Sequence, residues 1–336
     1  MKKSFNIHHS IISIVALVLL TACSKKTVLP PQSKICMDTV CSVNAFEYGT
    51  EELYKEVFQR LDEIEKTFSP TLETSELRKV NSMAGISPIE VSNDFMEVLS
   101  TAQKISVITN GALDVSAGPL IDLWGINTDH QKIPDEKEVQ DTKKLVGFEK
   151  VQIEGNKVFL PETGMSLNFG AVVKGFAADE IVSIIKKHRT KRAIIDLGGN
   201  IYAFGRKADN IPWTIGIKNP QKPEDNPLLK LYVRNSSVVT SGNYERFFEA
   251  NGKRYHHILN TLTGAPAESG ISSVTIICKN SIIADCLSTA AFVLGNEKTC
   301  NLIPSIENEF NVAIGCVFIF PDNSWKQFGK IKPKPF

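Results

Sequence analysis

Apolar positions along this chain change period several times, and each change marks an element. From Glu51 to Phe68 the residues Leu53, Val57, Leu61, Ile64 and Phe68 recur at three- and four-residue spacing, which predicts a helix with one buried stripe. Asp94 followed by Glu97 predicts a capping box at the start of a second helix, and Asn110-Gly111 predicts its end. Residues 174–187 predict a third amphipathic helix. Residues 35–46 alternate apolar side chains and predict one strand, and 151–160 predict a hairpin around Gly155-Asn156. Residues 193–204 predict two strands about a tight Gly198-Gly199-Asn200 turn. Further strands are predicted at 213–218, 229–233, 236–240 and 272–278. A helix over 281–294, closed by Gly295, follows the last of them. Helices and hairpin-type strands without regular βαβ alternation predict an α+β fold.

The N-terminus changes the picture of where such a fold works. Lys2 and Lys3 precede an apolar run that ends in Leu20-Thr21-Ala22-Cys23. A basic start, a short apolar core and small residues before a cleavage point make a secretory signal over residues 1–22. Cys23 directly after Thr-Ala resembles the lipobox of bacterial lipoproteins, so Cys23 is expected to be acylated and to hold the protein on a membrane without spanning it. Residues 23–34 are polar and carry Pro30 and Pro31; they read as a tether, leaving 35–336 as the folded part. That length fits one large domain or two intertwined subdomains.

Composition excludes little beyond one class. The chain is 42% hydrophobic and 22% charged, with 38 Lys and Arg against 37 Asp and Glu. A near-neutral balance offers no basis for nucleic-acid binding. Besides Cys23 there are six cysteines, at 36, 41, 278, 286, 300 and 316, with no C-x-x-C pair. Neither a zinc knuckle nor a C-x-x-C redox motif is therefore expected, and both disulfides and buried free thiols stay open.

Four segments are richer in polar groups and glycine than simple connectors. In Gly111-Ala112-Leu113-Asp114-Val115-Ser116, the Asp114 carboxylate either holds a backbone turn or faces a ligand. Asn168-Phe169-Gly170-Ala171 leads through Lys174 and Gly175 into a helix, and unpaired N–H groups at a helix start suit phosphate; close helix–strand packing is the other reading. Thr240-Ser241-Gly242-Asn243-Tyr244-Glu245 precedes His256-His257-Ile258, and neighbouring histidines on an extended segment face opposite ways. Asp285 and Thr289 lie four apart on an apolar helix, hence on one face. Such a pair needs a partner, either a hydrogen-bonding loop or a hard cation such as magnesium.

In this order, the segments GALDVSAGPLIDLWG, VVKGFAAD, IIDLGGNIYAFG, TSGNYERFF, HHILNTLTG and ADCLSTAAFVLG resemble the ApbE family of FAD:protein FMN transferases, over about residues 35–320. The resemblance implies that FAD is split at its pyrophosphate, FMN is joined to a Thr or Ser hydroxyl of an acceptor protein, and AMP leaves. The acceptors it implies are exported flavoproteins or membrane redox subunits. It further implies magnesium held by Asp285, Thr289 and the Ala171 carbonyl, with His257 or a metal-associated carboxylate as base. Met37, Ala112, Leu113, Asp114, Asn168 and the backbone at Ile258 match positions that line the flavin nucleotide, and Lys174, Gly175, Thr240, Ser241 and Glu245 are further contacts by motif position. This chain departs from the family pattern at several points. Asp38 stands where Gly follows Met, Pro70 and Thr71 stand where an aromatic stacks on the flavin, Asn260-Thr261 replaces Asp-Pro, and Asn168 replaces an acid. Stacking is then weaker or moved elsewhere, to Tyr48 or Phe46. The same ligand would also serve a hydrolase giving FMN and AMP, or a lipoprotein that binds FAD without turning it over.

Overall fold

The computed structural model describes residues 28–336, so the leader and Cys23 lie outside the described residues. Eight antiparallel strands form one sheet: β1 (Gln32–Cys36), β2 (Thr39–Asn44), β3 (Arg192–Leu197), β4 (Asn200–Gly205), β5 (Ser236–Gly242), β6 (Ser273–Cys278), β7 (Ile314–Ile319) and β8 (Trp325–Phe328). Their spatial order follows their chain order. The fold is therefore a meander whose connections have been enlarged, and the α+β expectation holds.

The largest connection, between β2 and β3, carries α1 (Glu51–Phe68), α2 (Glu76–Ser82), α3 (Asn93–Ile108), α4 (Gly118–Trp124), α5 (Glu136–Lys143) and α6 (Val173–Lys187). α7 (Ser281–Phe310) joins β6 to β7. The central strands are buried on both faces, and alternate residues feed different cores. Val274, Ile276, Cys316 and Phe318 pack with the helices, whereas Ile277, Val317 and Ile319 pack against a hairpin of Trp213–Ile217 and Leu229–Val233 on the other side. Both cores share the one sheet. Among the described residues no helix is long and apolar enough to cross a membrane.

Several expectations shift. Residues 35–46 form a hairpin instead of one strand, because Met37 and Asp38 adopt φ of 51° and 56° and turn the chain back. No Asn-Gly or Asp-Gly marks that turn, so the alternating pattern runs through it unbroken. β1 begins at Gln32, and the Leu29 N–H already donates to the Gly49 carbonyl, so the sheet takes in residues assigned to the tether. The cap of α3 is Ser92, whose Oγ accepts the Phe95 N–H; Asp94 instead pairs with Arg60 at 2.7 Å. A reciprocal capping box does exist, between Asp135 and Glu138 at α5. The helical run from Ser281 continues beyond Leu294 to Phe310, with a break at Gly295, whose φ of 77° only glycine adopts readily.

Candidate active site

One cleft of about 720 Å³ opens at the end of the sheet where the β1–β2 and β3–β4 turns and the C-terminus of β5 meet the starts of α6 and α7. That volume lies in the range of small-molecule sites. A shallower depression of about 640 Å³ beside Asn219, Lys222 and Asn323 is polar and contains none of the six motif segments.

The helical wall is built by mutual capping. Gly175 brings α6 so close to α7 that a Cβ there would stand 2.4 Å from the Ser281 carbonyl and 2.7 Å from Asp285 Cβ. Across this contact the Gly175 N–H donates to Asp285 Oδ2 at 2.8 Å. In return, both oxygens of Asp179 on α6 accept N–H groups of Ser281 and Ile282 at 2.9 Å each, closing the start of α7. Each helix supplies a carboxylate to the positive end of the other, the arrangement favoured by the helix dipole. Burial raises Asp179 to about 6 and also raises Asp285, against which Lys174 and the Gly175 N–H act.

Asp285 is 4% exposed, and it lines the cleft together with Thr289 and Ala171. A carboxylate, a hydroxyl and a backbone carbonyl are hard oxygen donors, the set magnesium takes alongside phosphate oxygens and water. Among the described residues no group of three or more His, Cys, Asp and Glu is arranged to hold a metal. The residues present thus suit a magnesium ion that shares its ligands with a phosphorylated substrate.

The two histidines carry opposite tautomers. His257 Nδ1 lies 3.2 Å from the Arg246 carbonyl, which accepts only, so Nδ1 carries the proton. The His257 backbone N–H donates to that same carbonyl at 3.1 Å, which holds the ring in place and leaves Nε2 with a lone pair in the cleft. The ring is open to the cleft yet densely walled, and this desolvation lowers its pKa to about 4. His256 is buried, donates from Nε2 to the Ala267 carbonyl and accepts the Ile258 N–H at Nδ1. Both its nitrogens are occupied, so its role is to hold the segment that presents His257.

Of the residues singled out in sequence, Met37, Ala112, Leu113, Asp114, Asn168, Ala171, Lys174, Thr240, Ser241, Glu245, His257, Ile258, Asp285 and Thr289 all line the cleft. Gly175 does not; its place is the helix contact, and its N–H is spent on Asp285. Asp114 holds a turn, as one of its two readings required: Oδ1 accepts from the Ser116 N–H and Oγ, and Oδ2 from the Phe148 N–H. Ser241 Oγ is 2.8 Å from Ser288 Oγ on α7, and Thr240 Oγ1 is 2.8 Å from Thr275 Oγ1, so the two hydroxyls tie the cleft end of β5 to different neighbours.

Neither Tyr48 nor Phe46 reaches the cleft. Phe46 stacks on Trp213 at 5.2 Å in the second core, and Tyr48 packs against the first. The aromatic rings that do line it are Phe68, Phe169 and Tyr244. Arg246, which follows the Thr240–Glu245 segment, lines the cleft as well, and sequence reasoning missed Glu65, Lys218, Asp196 and Asn200, which line it too. Glu65 lies on α1, where spacing cannot separate it from a solvated helix charge; its Oε1 accepts the Met37 N–H at 2.9 Å.

Comparison with known proteins shows the family and the fold. The ApbE family model matches residues 37–314. The FAD:protein FMN transferase of Treponema pallidum is 36% identical over 310 residues, covering 87% of this chain and 84% of the relative. That of Klebsiella pneumoniae is 34% identical over 252 residues, covering 74% and 78%. The crystal structure of the ApbE protein of Thermotoga maritima superposes with a TM-score of 0.79 at 27% identity, over 88% of this chain and 96% of that one. The apo flavinyl transferase ApbE of Pseudomonas stutzeri gives 0.75 at 26% identity, over 89% and 94%. With a family match spanning most of the described chain and a cleft built from the family's own segments, this protein belongs to the ApbE family.

Proposed function

We propose that this chain transfers the FMN portion of FAD to a Thr or Ser hydroxyl of an acceptor protein and releases AMP. The observation that carries the reading is a single cleft that joins the hard oxygen donors at the start of α7 to the unprotonated Nε2 of His257. The relatives named above as FAD:protein FMN transferases support the same chemistry.

In the transfer, the acceptor hydroxyl oxygen bonds to the FMN-side phosphorus, the bond from that phosphorus to the bridging oxygen breaks, and AMP leaves with the bridging oxygen. His257 Nε2 accepts the hydroxyl proton, since the ring is neutral and oriented through Nδ1. Lys174, held by the Gly170 carbonyl at 2.9 Å, places a positive charge at the mouth of α6. Magnesium, held by Asp285, Thr289 and the Ala171 carbonyl, would neutralise charge on the pyrophosphate. Met37, Ala112, Leu113, Asn168 and Ile258 form the nucleotide-binding surface in this reading, with Glu245 and Thr240 as further contacts. The basic, apolar leader and the lipobox-like Cys23 support an enzyme anchored by lipid on the outer side of a membrane, with an exported flavoprotein or a membrane redox subunit as its acceptor.

The test is to incubate protein lacking residues 1–23 with FAD and magnesium, with and without an acceptor, and to follow AMP and acceptor mass. AMP together with an acceptor heavier by one FMN is the expected result. AMP at the same rate without any acceptor makes the protein a hydrolase, and bound FAD without AMP makes it a binding protein.

A further inference from the structure

The β1–β2 turn borders the cleft, and two thiols stand directly behind it. The hairpin register pairs Cys36 with Thr39 and Lys34 with Cys41, so Cys36 and Cys41 are diagonal neighbours on one sheet face. Their Sγ atoms are 2.9 Å apart. A disulfide bond is about 2.05 Å long, so closure asks for less than an ångström of movement. Both side chains are buried. No other cysteine among the described residues is hydrogen-bonded to a second sulfur.

The turn between them needs holding. Met37 and Asp38 are non-glycine residues at φ of 51° and 56°, a region that L side chains enter at a cost. Its tertiary restraints are side chains from elsewhere: Glu65 accepts the Met37 N–H at 2.9 Å, and Arg246 reaches the Asp38 carbonyl at 3.5 Å. Met37, Asp38 and Thr39 all line the cleft, so any slack in the turn is slack in the binding surface.

We propose that Cys36 and Cys41 are an oxidative modification site, joined as an intrachain disulfide that clamps the Met37–Asp38 turn against the cleft. That this clamp serves FAD rests on the function proposed above; the bond itself does not. The oxidant is an external disulfide, borne by a protein or a small thiol compound. The Cys36 thiolate attacks one of its sulfurs and one external thiol leaves. Cys41 then gives up its proton to solvent and attacks Cys36 Sγ, expelling the second external thiol. Two protein thiols lose two electrons, which the external disulfide gains. The contact with Cys41 lowers the Cys36 pKa and favours it as the first nucleophile. β1 is an edge strand, so its hairpin admits the oxidant by opening locally, without parting the rest of the sheet.

Trypsin decides the matter, because residues 35–55 contain Cys36 and Cys41 with no Lys or Arg before Lys55. Full-length protein is equilibrated with oxidised glutathione, denatured, alkylated and digested. The expected peptide is unalkylated and two hydrogen atoms lighter than its dithiol form, and it takes up two alkyl groups only after reduction. A doubly alkylated peptide in the oxidised sample, or either cysteine linked to a different one, overturns the site. FAD titration tests the clamp: reduction should weaken binding several-fold in the wild type and leave a Cys36→Ser, Cys41→Ser double variant unchanged. Equal affinity of oxidised and reduced wild type overturns the clamp. A protein that binds no FAD in either state overturns the functional reading, and the peptide mass still decides the bond.

Discussion

The two walls of the cleft are held by different means. On the helical wall, Gly175 and the first turn of α7 donate main-chain N–H groups to Asp285 and Asp179, so the position of each helix is set by the other. On the turn wall, Met37 and Asp38 sit in left-handed conformations, and their tertiary restraints come from Glu65 on α1 and Arg246, more than 180 residues further on. The helical wall cannot shift without breaking charge-assisted bonds inside a buried contact. The turn wall is tied by two long side chains beside the packing of Met37 on the first core, with no buried exchange of carboxylates and main-chain N–H groups. Of the positions at which this chain departs from the family pattern, Asn168 stands beside the helical wall and Asp38 on the turn wall.

That contrast breaks most readily at Asp285. Replacing it with Ala should lower FAD-dependent AMP release by roughly 10³-fold, the scale seen when one preorganised charge-stabilising group is removed. Unchanged turnover in a folded Asp285→Ala protein would dismantle the metal assignment.

His257 is next. His257→Gln should cost on the order of 10²-fold in rate as a lost general base. Because desolvation by the cleft walls lowers its pKa to about 4, the folded protein binds fewer protons at this ring than the unfolded chain between about pH 4 and about 6.5. Its contribution to stability therefore rises with pH across that window, and the ring is neutral above it. The acid limb of a rate–pH profile should fall near 4. A limb near 6.5 that vanishes in His257→Gln would contradict the walled environment described for this ring.

Asp179→Ala should destabilise the protein by about 2–4 kcal/mol, since two hydrogen bonds to a charged group disappear and leave buried N–H donors unpaired. Urea titration measures this. The sign with pH is opposite to that of His257. Asp179 is raised to about 6, so in the folded state it holds its proton where the unfolded chain has lost it, and stability at this residue falls as pH rises from about 4 to about 6. Asp179→Ala should remove that slope. The smallest effect is expected on the turn wall. Asp38→Gly relieves a left-handed φ but loosens the unfolded chain, for a net gain of about 0.5–1 kcal/mol. A loss instead would mean that Asp38 itself holds the turn.

Patterns that depend on neighbours along the chain were legible beforehand. The stripe of α1, the stop at Asn110-Gly111, the hairpin at Gly155-Asn156 and the shared face of Asp285 and Thr289 all follow from helix or strand periodicity and from the conformational freedom of Gly and Asn. Of the site residues singled out within the six motif segments, all but Gly175 line the cleft, although those segments span about 180 residues of chain.

What the tertiary structure alone decided is which partner each group meets. Alternation required that His256 and His257 face opposite ways, but only the packing of Ala267 and the placing of the Arg246 carbonyl fixed which ring is spent and which keeps a free nitrogen. Asp94 carried a capping signal yet was claimed by Arg60, while Ser92 took the cap. Gly175 carried a phosphate-loop signal and became the contact point of two helices. Local periodicity sets the direction a side chain points; the hydrogen-bond partner that satisfies it comes from a segment distant in sequence, and no spacing rule reaches that far.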